Sequence, residues 1–95
     1  MSRLNELIHQ PVRLRIMAAL VALGSDESFD FSGLAKMLDV TDGNLGAHLA
    51  KLEEAAYIHV EKLFIDRKPR TFLRASHKGR AAFEDHVKAL RQILK

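Results

Sequence analysis

Apolar residues recur at three- and four-residue spacing over most of this chain and become β-branched and aromatic in one region, which predicts helices interrupted by a hairpin. Leu4, Leu7 and Ile8 fall on one side of a short opening helix that Ser2 can cap. Pro11 suits the first turn of a second helix. Its buried stripe is Val12, Ile16, Ala19, Leu20 and Leu23, and Gly24 stops it. Phe29-Asp30-Phe31 can hold a very short extended piece. Asp30 then caps a helix, with Phe29 and Leu34 placed as a hydrophobic staple. Phe31, Leu34, Ala35 and Leu38 share its face.

The next join is more closely specified. Asp39-Val40-Thr41 leaves room only for a tight turn, Thr41 is a good N-cap, and Val40 with Leu45 repeats the staple. The helix expected over about 42–55 turns Leu45, Leu49, Leu52 and Ala56 to the core. Its other side carries Gly43, Asn44, Gly46, Ala47, Ala50, Lys51 and Glu54, and small residues there let a helix approach another surface closely. Tyr57 to Ile65 and Arg70 to Ala75 read as the strands of a hairpin around Asp66-Arg67-Lys68-Pro69. Ser76 caps a closing helix over about 77–94, with Phe83, Val87, Leu90 and Ile93 or Leu94 as its apolar stripe. The expected fold class is mainly α with a small antiparallel β-hairpin, α+β.

Charge changes this picture more by position than by amount. The formal net charge is only +3, but from Lys62 to Arg80 the cations Lys62, Arg67, Lys68, Arg70, Arg74, Lys78 and Arg80 face Asp66 alone. Concentrating charge on the hairpin and the adjoining helix start makes a field that attracts phosphates, although Lys and Arg also serve as ordinary solvated surface. At 95 residues the chain is expected to form a single domain, 1–95, and domains this small often gain stability by pairing with a copy of themselves. The closing and opening helices supply the surface for this: Leu4, Leu7, Ile8, Val87, Leu90 and Leu94 are the candidate dimer interface, and His86 a candidate at its seam.

Other chemistry finds little support. With no cysteine there is neither a disulfide framework nor a thiolate metal site, and the cytoplasm is the default compartment. The longest apolar run, Ile16 to Leu23, is far short of the roughly twenty residues needed to span a bilayer. The five histidines, His9, His48, His59, His77 and His86, lack the spacing that sets two imidazoles on one helical or strand face, so no metal and no cofactor are expected. His48 is expected beside the helix core or near a phosphate. Without a cysteine, a phosphate loop or a recognisable Ser, His and acid set, an enzyme is not expected.

In order, LIHQPVRLRIMAAL, TDGNLGAHLAKLEEAAYI, FIDRKPRTFLR and SHKGRAAF resemble the small winged helix-turn-helix regulators near the MarR and ArsR families, over nearly the whole chain. The resemblance implies a homodimer on double-stranded DNA, expected to be a repressor, with one recognition helix per half-site. Thr41 and Asn44 would hold phosphate or base edges, Asp42, Gly43, Gly46 and Ala47 would line the major groove, and Lys51 would meet a phosphate. Arg67 and Lys68 would form the wing tip and Arg70 a backbone contact. Two features depart from the pattern. Ala55-Ala56-Tyr57 stands where the family usually has Ala-Gly-Tyr, and glycine and alanine occupy groove-facing positions that often carry long side chains. Specificity would then rest on DNA shape and wing contacts. The alternatives are a protein-interaction module on the same fold, or a regulator answering to a metal or ligand; no effector is identifiable.

Overall fold

The computed structural model describes residues 3–95, arranged as α1 (Glu6–His9), α2 (Pro11–Val21), β1 (Phe29–Asp30), α3 (Phe31–Leu38), α4 (Asp42–Glu54), β2 (Ile58–Ile65), β3 (Lys68–Ala75) and α5 (His77–Ile93). The strands form an antiparallel sheet in the order β1-β3-β2. This is the expected α+β class and element order. Ile8, Ile16, Met17 and Leu20 meet Leu34 and Leu38, Leu45, Leu49 and Leu52, and the sheet residues Ile58 and Leu73 in one apolar cluster. Each such side chain contributes about 1.5–3 kcal/mol relative to exposure.

The helix ends show where local signals gave way to longer-range ones. α1 is capped by Asn5, whose side chain accepts the Ile8 N–H at 3.1 Å; Ser2, expected to cap it, lies outside the described residues. α2 opens as expected on Pro11, with the Gln10 side chain accepting the Arg13 N–H at 2.9 Å. It stops at Val21, before Gly24, and the Arg80 guanidinium satisfies the carbonyls left free there, donating to Val21 at 3.0 Å and Leu23 at 2.9 Å. Leu23 therefore sits half-buried beyond the helix, while Met17, outside the expected stripe, is fully buried. Arg15 does the same for α3, donating to the Leu38 carbonyl at 2.8 Å, where a cation also suits the negative helix end. Asp30 occupies the N-cap position of α3 without accepting a cap bond; its carboxylate instead pairs with Arg70 at 3.2 Å.

Ala56 corrects another expectation. It is exposed and lies past α4, not on the core face, in the left-handed region at φ 62°. Its N–H reaches the Glu53 carbonyl at 2.9 Å and the Tyr57 N–H reaches the Leu52 carbonyl at 2.9 Å, a full Schellman closure. Directly beyond it, Ser76 joins three elements. Its N–H donates to the Tyr57 carbonyl at 3.0 Å, and its hydroxyl donates to the Ala56 carbonyl at 2.6 Å while accepting the Gly79 N–H at 2.9 Å. A Cβ on Gly79 would overlap the Tyr57 carbonyl oxygen, so only glycine permits this approach of α5. On α5, Gly79, His86 and Ala89 are the buried positions, and Val87 and Leu90 are half-buried.

Candidate nucleic-acid interface

The turn between α3 and α4 orients the candidate recognition helix. Asp39 adopts φ 56°, the Val40 N–H reaches the Ala35 carbonyl at 3.1 Å, and the chain reverses within three residues. Thr41 then caps α4, its hydroxyl oxygen accepting the Asn44 N–H at 3.1 Å, so this oxygen is already engaged in the fold. Half-buried Val40 packs against the core that holds Leu45. With Leu45, Leu49 and Leu52 inward, Asp42, Gly43, Asn44, Ala47, Ala50, Lys51 and Glu54 are exposed, and Gly46 is half-buried. A Cβ built on Gly43 or Gly46 meets nothing within 4 Å. Packing inside the chain therefore does not require glycine at either position, although glycine inside a helix costs about 0.5–1 kcal/mol relative to alanine. Asp42 occupies the first turn, where a carboxylate suits the positive helix end.

The hairpin is longer than expected and its loop shorter. β2 and β3 pair from Ile58 with Ala75 out to Ile65 with Lys68, leaving only Asp66 and Arg67 at φ 51° and 66°, a mirror-image two-residue turn. Pro69 is tolerated inside β3 because β1 pairs only with Phe72 and Leu73, and the outer hairpin is a two-stranded ribbon. Residues 61–70 are all exposed, which leaves Arg67 and Lys68 at an open tip. Arg70 is less free than expected, being held by Asp30 and set over the Phe72 ring at 5.7 Å. The basic run is not one patch either. Arg80 is committed to helix-end carbonyls, Lys78 lies over the Tyr57 ring at 5.6 Å, and Arg74 pairs across from His59 on the sheet face turned away from the core.

Between α4 and the hairpin runs a groove of about 290 Å³, with Gly46, Ala50 and Glu53 on one wall, Lys62 and Thr71 on the other, and Phe31, Leu49, Val60 and Leu73 beneath. The opposite flank of α4 carries a second basic group that sequence reasoning missed. Arg13 donates to the Leu7 carbonyl at 2.6 Å and approaches His48 Nδ1 at 3.1 Å. A guanidinium only donates, so Nδ1 accepts and the ring is neutral. Burial foremost, then the charges of Arg13 and Lys51, push the His48 pKa below 6.5. Arg13 is 35 residues from His48, a pairing that no helical spacing announces.

The candidate dimer residues divide. Ile8 is fully buried in the chain's own core and has no surface to offer, whereas Leu4, Leu7, Val87 and Leu90 are half-buried, and Ile93 and Leu94 are 63% and 80% exposed. His86 is not at a seam but inside: its Nδ1 accepts the Asn5 N–H at 2.8 Å and its Nε2 lies 3.4 Å from His9 Nδ1. Burial, then His9, lowers its pKa from 6.5. The fold thus pairs two histidines that sequence spacing left apart. Among the described residues no group of three or more His, Cys, Asp or Glu could hold a metal, and no helix is long and apolar enough to cross a membrane.

The family model described as a winged helix DNA-binding domain matches residues 12–94. An uncharacterized protein of Methanocaldococcus jannaschii is 34% identical over 90 residues, 95% of each chain. A transcriptional regulator homologue from Pyrococcus horikoshii superposes with a TM-score of 0.84 at 30% identity, over 95% of this chain and 86% of that one. A MarR-family transcriptional regulator from Enterococcus faecalis gives 0.72 at 22% identity, over 93% and 76%. Staphylococcus aureus MepR, in a complex with DNA, gives 0.70 at 18%, over 85% and 64%. The last two establish likeness of fold.

Proposed function

The chain belongs to the winged helix DNA-binding domain family, and from that premise we infer that it acts as a homodimeric transcriptional regulator of double-stranded DNA, working as a repressor that occludes a promoter. The observation that carries this reading is the open side of α4, where Gly43 and Gly46 leave unfilled space beside a cationic hairpin. The N-terminal half of α4 enters the major groove: Asp42, Gly43, Gly46 and Ala47 line it, Thr41 and Asn44 meet phosphate or base edges, and Lys51 meets a phosphate. Arg67 and Lys68 reach the flanking minor groove or backbone. Arg70 acts there only in exchange for Asp30. Arg13, held by the Leu7 carbonyl and the neutral His48 ring, adds a cation on the far side of α4. The half-buried Leu4, Leu7, Val87 and Leu90, with exposed Leu94, form the two-fold seam. MepR, which shares the fold, is known in a DNA complex, and this supports the docking mode.

Selection of bound sequences from random duplex DNA at a fixed salt concentration tests the reading. An enriched, roughly palindromic site is expected. About six phosphate contacts would give a log-log salt slope near −5. No enrichment and a slope near zero would leave a protein-interaction module as the better account.

A further inference from the structure

The hairpin carries an aromatic ring with no role inside the molecule. Phe64, paired with Pro69 across the ribbon, is 79% exposed. Alternation along the strands determines which way it points. Ile58 and Val60 face the core with Ala75 and Leu73, and Lys62 and Thr71 come next, lining the groove beside Gly46 and Ala50. Phe64 and Pro69 follow on that same side, beyond the body of the domain. The ring therefore overhangs the surface assigned above to the duplex. Leu63 and Ile65 take the other side, opposite Arg70 and Lys68, whose aliphatic stems can lie over them.

The surroundings decide what can cover the ring. Lys62 precedes it on the same face, Lys68 adjoins its partner Pro69, and Arg67 forms the tip. Two copies meeting through this patch would bring those cations together, which opposes self-association. A polyanion with an apolar interior suits the patch: phosphate walls for the cations, and sugar and base edges for the ring. The exposed face of α4 meanwhile carries Gly43, Gly46, Ala47 and Ala50, and so leaves base-edge donors and acceptors to few side chains, Asn44 among them.

We propose, resting on the DNA-binding reading above, that Phe64, backed by Pro69, is an apolar wedge that enters the minor groove beside the wing and favours easily unstacked pyrimidine–purine steps. Sequence discrimination then comes from the deformability of the duplex at this point, while Arg67 and Lys68 supply attraction indifferent to sequence.

The test uses the full chain and two duplexes of equal length, one of alternating dT and dA, the other an uninterrupted dA tract. The unsubstituted protein is expected to bind the alternating duplex about tenfold tighter, since TA steps unstack readily and dA tracts are stiff. Phe64→Ala should lose most of that margin with its salt slope and thermal midpoint unchanged, and Phe64→Leu, still an apolar wedge, should keep it. Arg67→Ala should keep the margin and lower the salt slope by about one. A margin undiminished in Phe64→Ala overturns the wedge, as does a change in sedimentation showing that the ring serves a protein contact. If Arg67→Ala weakens binding and Phe64→Ala does not, the wedge alone falls. If the unsubstituted protein binds neither duplex at low salt, the DNA-binding reading falls and takes the wedge with it.

Discussion

Gly46→Ala sets stability against binding in a single methyl group. Gly46 lies inside α4, which spans 13 residues, and an added Cβ meets nothing within 4 Å. The folded monomer should therefore gain the propensity difference, about 1 kcal/mol, with no steric cost. For a domain of this size that raises the thermal midpoint by about 4–8 °C. Against a duplex seated on α4 the same methyl fills space that the backbone's close approach requires, and overpacking of a fitted surface costs about 1–3 kcal/mol. At about 1.4 kcal/mol per tenfold, affinity should fall by one to two orders of magnitude. Circular dichroism melting and fluorescence anisotropy on the selected duplex, at one salt concentration, read the two effects. Because stability rises while binding falls, misfolding cannot imitate the result. A variant that is more stable and binds equally well would refute close approach at this position.

Three further outcomes are expected. Leu94→Asp, at a side chain 80% exposed, should yield monomers in sedimentation with an unaltered melting profile extrapolated to low concentration; a persisting dimer would move the seam off the end of α5. Ala56→Gly should stabilise the fold by about 0.5–1 kcal/mol. The left-handed conformation costs alanine about 1–2 kcal/mol, partly offset by the greater unfolded freedom of glycine. Denaturant midpoints that do not rise would count against strain there. Burial keeps His86 neutral in the fold, with a pKa below the 6.5 of the free side chain, so the folded state binds fewer protons than the unfolded one. Its contribution is present in full above 6.5 and is lost as pH falls below it toward the lower folded value. Denaturant midpoints should drop over that window and drop less in His86→Gln; identical profiles would refute the assignment.

Elements defined by near neighbours were legible in the sequence. The α3–α4 turn followed from Thr41 and the Val40–Leu45 staple, and the closing helix start from Ser76, because each depends on contacts three to five residues apart. Features set by distant partners were not. Nothing near Gly24 reveals that Arg80 satisfies the end of α2, a contact 59 residues away, and nothing in SHKGRAAF explains Gly79 until Tyr57 is seen against it. The basic run read as one patch because composition cannot separate Arg67 at an open tip from Arg80 on helix-end carbonyls. The sequence places His86 at a seam, because its burial depends on His9 and Asn5, at the other end of the chain. Phe64 reads in the sequence as an ordinary strand residue, since β propensity says nothing of how far a hairpin projects beyond the domain.

The bonds that Ser76 makes to Ala56 and Tyr57, with Gly79 seated against the latter, tie the end of α4, the root of the hairpin and the beginning of α5 into one rigid joint. Two protomers clasped along α5 would hold their reading helices like the arms of a caliper. The gap between the arms is then a matter of the tilt of α5, to be compared with the roughly 34 Å repeat of B-form DNA. Small changes of crossing angle at the clasp would open or close the arms without altering any side chain that meets a base.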